Sequence, residues 1–161
     1  MVALYLLDTC ILLEYLLDQA KADEVEQLFI GASEIPMAVT EFSLYSIGIN
    51  MLRQKQTDRF LEFVDDALVA GQIRLLRLGP QDMAAVAESA RRFGFDFDDA
   101  YQYVAAEKHN LILVSFDADF DRTKRGRKTP ADILGEPPVA HDRPATKQPR
   151  PSRRPRRKPR A

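Results

Sequence analysis

Six aspartates crowd into residues 95–121, FDFDDAYQYVAAEKHNLILVSFDADFD. Asp96, Asp98 and Asp99 precede a helical run, and Asp117, Asp119 and Asp121 follow an apolar one. A helix over 100–109 covers ~15 Å at ~1.5 Å per residue. Asn110 turns the chain, and a strand over 111–114 climbs back at ~3.3 Å per residue. The helix–strand unit therefore returns Asp117 to the edge at which Asp99 starts. Clustered carboxylates repel one another and are costly to hold ionised. A hard divalent cation with oxygen ligands relieves that repulsion, and Mg²⁺ in such sites shares its coordination with substrate phosphate oxygens. The chemistry implied is metal-assisted attack of water on phosphorus, since an acidic pocket without a cation repels a phosphodiester.

Other chemistries find no support. No Cys/His set suits zinc, with His109 at a helix end and His141 far along the chain. Cys10 and the hydroxyl residues have no nearby histidine to make them nucleophiles. Neither GxxxxGK[ST] nor GxGxxG occurs, so a nucleotide cradle is not indicated.

The elements that must hold these acids alternate. Short apolar runs at 2–7, 35–39, 73–76 and 111–114 read as strands buried on both faces. Between them, helices are expected over 11–17, 22–30, 41–53, 57–70 and 80–93. Thr40 and Thr57 are candidate N-caps, Pro80 suits a first turn, and Gly31, Gly71 and Gly94 serve as stops. Phe42, Tyr45, Ile49 and Leu52 are expected to form the apolar stripe of the 41–53 helix. Phe60, Phe63, Val64, Ala67 and Leu68 are expected inward on the next helix, and Met83, Val86, Ala87, Ala90 and Phe93 on the 80–93 helix. This alternation predicts an α/β fold with three layers around a short central parallel sheet of four or five strands. Ligands in such sheets bind beyond the carboxyl ends of the strands. Asp8 follows the first strand, Glu41 the second and Asp117 the fourth, and Asp99 starts the helix that feeds the fourth. All four acids map to one edge.

Length and charge set the frame. With 161 residues, one domain with a real core is expected. The expected domain is 1–135, followed by a disordered basic tail over 136–161 that carries seven of the ten prolines. The net charge of −1 conceals a segregation. Residues 1–135 hold 14 Lys and Arg against 22 Asp and Glu, which is −8, and residues 136–161 hold 9 against 2, which is +7. No stretch approaches the ~20 apolar residues of a membrane span. A single cysteine and a start without a basic leader lead to an expectation of the cytoplasm. Arg122, Lys124, Arg125, Arg127 and Lys128 lie just past Asp117 and are expected to grip the phosphates of a polyanionic substrate.

LLDTCILLEYL at the start, an acid near residue 41, DDAYQYVAAEKHNLILVSFDADF and the closing TPADIL together resemble a PIN domain. Proteins of this size in that family are often VapC-type toxins. The resemblance covers about residues 2–135. It implies an endoribonuclease dependent on Mg²⁺ or Mn²⁺, with Asp8, Glu41, Asp99 and Asp117 as catalytic acids and Asp8, Asp99 and Asp117 holding the metal. Asp119 would be an auxiliary acid, Thr9 and Ser115 supporting hydroxyls, and Asp98 the alternative to Asp99. Asp99 is preferred because the 18-residue step to Asp117 is the family's usual one. The implied partners are an RNA substrate and a small antitoxin protein; a homodimer is compatible with the sequence, which does not fix the oligomeric state. Two departures accompany the resemblance. Cys10 stands where many members carry Asn or Ser. The family's helical acid commonly lies three residues after a Thr or Ser N-cap, which from Thr40 falls on Ser43 rather than Glu41. A catalytically weak PIN-like module that binds RNA or protein is therefore the alternative. A haloacid-dehalogenase-type phosphatase wants an acid where Cys10 stands.

Overall fold

The computed structural model describes residues 4–31 and 34–135. Four strands, β1 (Tyr5–Leu7), β2 (Met37–Thr40), β3 (Ile73–Leu76) and β4 (Ile112–Val114), form one sheet in the order β3-β2-β1-β4. Every pairing is parallel, with Tyr5 beside both Met37 and Ile112. Beyond β4, Lys128 makes an isolated parallel bridge to Val114. The backbone of Lys128 donates to Leu113 O and accepts from Ser115 N–H.

Alternation along the strands divides the interior into two cores. Leu7, Met37, Val39 and Val114 face helices α1 (Thr9–Leu16) and α2 (Ala22–Ile30) and the inner sides of α3 (Glu41–Arg53) and α4 (Thr57–Phe63). Leu6, Ala38 and Leu113 face α5 (Met83–Phe93) and α6 (Phe97–Lys108). A short α7 (Pro130–Leu134) closes the described chain and packs on α2, where Ala131 N–H donates to Glu24 Oε1 at 2.9 Å. The three layers and the four-stranded parallel sheet are those expected from the alternation.

Boundaries differ where local chemistry intervenes. The first strand begins at Tyr5, and residues 1–3 lie outside the described residues, as does the 136–161 tail. The 57–70 helix divides into α4 and a π-helical stretch, Val64–Val69. The 80–93 helix opens with a 3₁₀ turn, Pro80–Asp82, and ends at Gly94, whose φ of 68° lies in the left-handed region that glycine tolerates. The last long helix starts at Phe97 rather than residue 100, because Asp96 caps it by accepting from Asp99 N–H at 3.0 Å.

Helix α3 corrects the expected stripe. Its buried residues are Ser43, Ile47 and Met51. Tyr45, Ile49 and Leu52 are 61%, 60% and 52% exposed. The cause is the packing against α4. A side chain on Gly48 would stand 3.2 Å from the Phe60 ring, so the bare glycine lets that ring approach and fixes which face of α3 turns inward. Phe42 alone of the expected four packs inside, against Tyr101 and Phe97. On α5 the expected Ala87 is exposed, and Ser89 is buried in its place.

Candidate metal centre

Asp8 follows β1 and caps α1 from extended backbone, with Oδ1 accepting from Thr9 N–H at 2.8 Å. Its Oδ2 accepts from Ser115 Oγ at 2.7 Å and from Cys10 Sγ at 3.3 Å. Only 6% of Asp8 is exposed. Burial pushes its carboxyl above the usual range, the three donors oppose that shift, and the charge of Asp117 adds to it. Burial also pushes the Cys10 thiol up to about 12, with Asp8 adding to the shift, so the sulfur keeps its proton and serves as a donor.

On the neighbouring strand, buried Ser115 lies just past β4. Its Oγ accepts from Asp117 N–H at 3.0 Å while donating to Asp8. Asp117 Oδ1 in turn accepts from Asp119 N–H at 2.9 Å, opening the 3₁₀ turn Ala118–Arg122. From the other side comes Asp99, in the first turn of α6. Carboxylate oxygens of Asp99, Asp117 and Asp119 all lie within 4.8 Å of one another. The helix–strand return thus closes on these residues. Burial lifts Asp99 to about 7, followed by the charges of Asp96, Asp8, Asp117 and Asp119. Four aspartates acting on one carboxyl is the repulsion that a divalent cation removes, and all-oxygen donors at this spacing fit a hard ion.

Other residues lie apart from this group. Asp98 is exposed, with a carboxyl raised by burial and by Asp96. Glu41 sits in the first turn of α3, 3.8 Å from Arg77 Nε and outside the group of three acids. The five basic residues diverge. Arg122 binds Asp119 Oδ1 at 2.9 Å and Phe93 O at 3.2 Å. Arg127 reaches Ser115 O at 3.1 Å and Asp121 Oδ2 at 3.3 Å, beside the acids. Arg125 instead donates to Leu111 O, at the amino end of β4 and so the opposite edge of the sheet. Lys124 is exposed, and Lys128 serves the β4 edge through its backbone.

Gln102 went unnoticed in the sequence. It is 1% exposed and lies one turn after Asp99 on α6. Its Nε2 donates to Ser43 Oγ and, at 3.4 Å, to Thr9 Oγ1, and its Oε1 accepts from Thr40 Oγ1 at 3.3 Å. Ser43 Oγ and Thr9 Oγ1 are 2.9 Å apart, and Thr40 Oγ1 accepts from Ser43 N–H at 3.1 Å. One amide in the otherwise small and apolar run AYQYVAA was the available signal, because a buried amide must find partners.

A family model described as PIN domain matches residues 5–126. The chain belongs to the PIN-domain family. Its fold is similar to a toxin–antitoxin complex from Klebsiella pneumoniae, with a TM-score of 0.62, 18% identity, and coverage of 78% of this chain and 97% of that one. VapC20 of Mycobacterium tuberculosis, a toxin that cleaves the sarcin–ricin loop, is similar at a TM-score of 0.62 and 16% identity, over 73% of this chain and 92% of that one. DNA-bound VapBC from Salmonella typhimurium gives 0.61 and 17%, over 80% and 97%. No curated protein matches the sequence. At these identities the structural likeness speaks to the fold. No helix among the described residues is long and apolar enough to cross a membrane.

Proposed function

We propose that this PIN domain is a divalent-metal-dependent endoribonuclease, acting in the cytoplasm as the toxin of a type II toxin–antitoxin pair. The observation that carries the reading is the meeting of Asp99, Asp117 and Asp119 within 4.8 Å, with buried Asp8 joined to Asp117 through Ser115. Asp8, Asp99 and Asp117 are the residues that would hold Mg²⁺ or Mn²⁺, with Asp119, which meets Asp99 and Asp117, as the auxiliary acid and Asp8 joining from outside that group of three. Bound there, the cation would supply charge neutralisation and Lewis acidity for hydrolysis of an RNA phosphodiester.

The chain's own residues prepare the rest. Ser115 holds Asp8 and Asp117 in register through one hydroxyl, donating to one and accepting from the backbone of the other. With its raised pKa, Asp99 takes up a proton near neutrality when no cation is present, so cation binding releases that proton. Arg122, Arg127 and exposed Lys124 are the residues that would meet phosphates. Glu41, turned to Arg77, completes the acidic edge only by leaving that ion pair. Its position, together with Ser43 at the third position of α3, favours the second reading, a PIN module that binds RNA or protein with little catalysis.

A domain over 1–135 and a basic tail over 136–161 divide the work, with the tail capturing RNA at longer range. An antitoxin or a second copy would cover exposed apolar surface such as Tyr45, Ile49 and Leu52. Incubating the purified protein with structured and single-stranded RNA in Mg²⁺, Mn²⁺ and EDTA tests the activity. Cleavage that needs the cation and disappears in Asp99→Asn and Asp117→Asn is expected. Undiminished cleavage in excess EDTA refutes the metal mechanism, and RNA binding without cleavage in either cation selects the second reading.

A further inference from the structure

The buried amide of Gln102 reaches two other elements at their junctions with the sheet. Thr9 belongs to the β1–α1 junction, beside Asp8, whose carboxylate accepts from the Thr9 backbone. Thr40 and Ser43 belong to the β2–α3 junction. Gln102 itself rides on α6, three residues after Asp99. Its side chain therefore ties the helix that carries Asp99 to the turn that carries Asp8, through two side chains. Thr40 and Ser43 are 0% exposed and Gln102 is 1% exposed, so water does not compete for the bonds among these three, and the tie to Thr9 is half-buried.

We infer that Gln102 is the positioning residue of the acidic site, setting where the Asp99 carboxylate stands relative to Asp8 through its bonds to Thr9 and Ser43. This rests on the reading of the acids as a metal centre. Gln102 is buried and would act through its neighbours rather than on substrate. It acts because a carboxylate pair must be held to within about 0.5 Å to share an ion, and that tolerance is supplied by locked neighbours rather than by the ligands themselves. Three hydroxyls and one amide form a closed set in which each group has a partner, and a closed buried network admits one arrangement where a partly paired one admits several.

The test compares full-length variants by calorimetric Mn²⁺ titration, with thermal unfolding alongside. Gln102→Leu keeps the volume and removes both ties. Thr9→Val removes one tie at a half-buried position. Tyr101→Phe is the control, since it removes another buried hydrogen bond from the same helix, the one Leu78 N–H donates to Tyr101 Oη at 2.8 Å. It leaves the acidic edge alone. Gln102→Leu is expected to weaken Mn²⁺ binding by about tenfold, the loss typical of an outer-shell partner, and to lower kcat with KM for RNA unchanged. Thr9→Val should shift Mn²⁺ affinity in the same direction by less, and Tyr101→Phe should lower the melting temperature with Mn²⁺ affinity intact. Wild-type Mn²⁺ affinity in both Gln102→Leu and Thr9→Val overturns the inference, as does an equal loss in Tyr101→Phe. If Gln102→Leu fails to fold, Thr9→Val decides alone. A wild-type protein that binds Mn²⁺ but leaves RNA intact refutes the nuclease reading while the affinities still judge Gln102. Absence of Mn²⁺ binding in the wild type overturns both.

Discussion

Replacing Asp99 by Asn makes a protein that should be more stable and inactive. The folded carboxyl titrates at about 7 against 3.8 in its ordinary state. A shift of that size corresponds to roughly 4 kcal/mol at about 1.4 kcal/mol per unit. Solvent reaches this half-buried group, and screening reduces the figure to roughly 1–2 kcal/mol. Asn also gives up the favourable position of a charge at a helix start, about 0.3–1 kcal/mol. The net gain is about 1 kcal/mol, or roughly 3–5 °C for a domain of this size. The sign follows from linkage. Folded Asp99 binds its proton more tightly than the unfolded chain does, so the wild type loses stability as pH rises from about 4 to about 7. The advantage of Asp99→Asn should therefore be absent at pH 4 and fully developed at pH 8 in EDTA. Added Mn²⁺ should reverse the order by stabilising only the wild type. Thermal unfolding by circular dichroism, from pH 4 to pH 8 with and without Mn²⁺, measures all of this. A variant less stable than wild type at pH 8 in EDTA, or a difference independent of pH, would refute the argument that Asp99 is crowded by like charge.

Three further outcomes follow from the geometry. Asp98→Asn should retain most cleavage activity, because Asp98 is exposed and outside the group of three acids; a loss as deep as that of Asp99→Asn in the same RNA assay would reverse the assignment. Glu41→Gln should change the Mn²⁺ dissociation constant by less than about threefold, the range of a screened surface charge, since its carboxylate faces Arg77; a tenfold loss by calorimetry would place Glu41 among the ligands. Arg125→Gln should leave RNA affinity unchanged while a chain truncated after residue 135 binds more weakly at low salt, its log-affinity slope against log-salt flattened by roughly 0.7 for each phosphate the tail had neutralised. Fluorescence anisotropy over a salt series checks both, and an unchanged slope in the truncated chain removes the tail from RNA capture.

The acidic edge was legible because it rests on chain geometry. A helix and a strand of matched reach must bring their outer ends together, whatever packs around them, and Asp99 and Asp117 stand at those ends. The facing of α3 was not legible. FSLYSIGINML is apolar around most of its circumference, so periodicity allowed either face, and the choice fell to the close approach of Phe60, from a different helix, to Gly48. Arg125 was misplaced for a similar reason. Sequence proximity to Asp117 suggested the acidic edge, but the chain runs back alongside β4 after Gly126, whose φ is 63°, and the long Arg125 side chain finds Leu111 O at the far edge. Gln102 escaped notice because a single amide in a buried run has no period to announce it.

The Lys128 bridge beside β4 bears on how the molecule keeps to itself. A parallel sheet of four short strands has two open sides, each a row of unpaired backbone groups on which another chain can build. On the β4 side, Lys128 takes up Leu113 O and Ser115 N–H, so a stranger approaching there meets a ladder already occupied. Among the described residues, the β3 side has no such cover, and its guard is chemical instead: exposed Arg74 and Arg77 flank Leu75 and Leu76. Neutralising those two arginines should direct self-association to β3, leaving the β4 side inert.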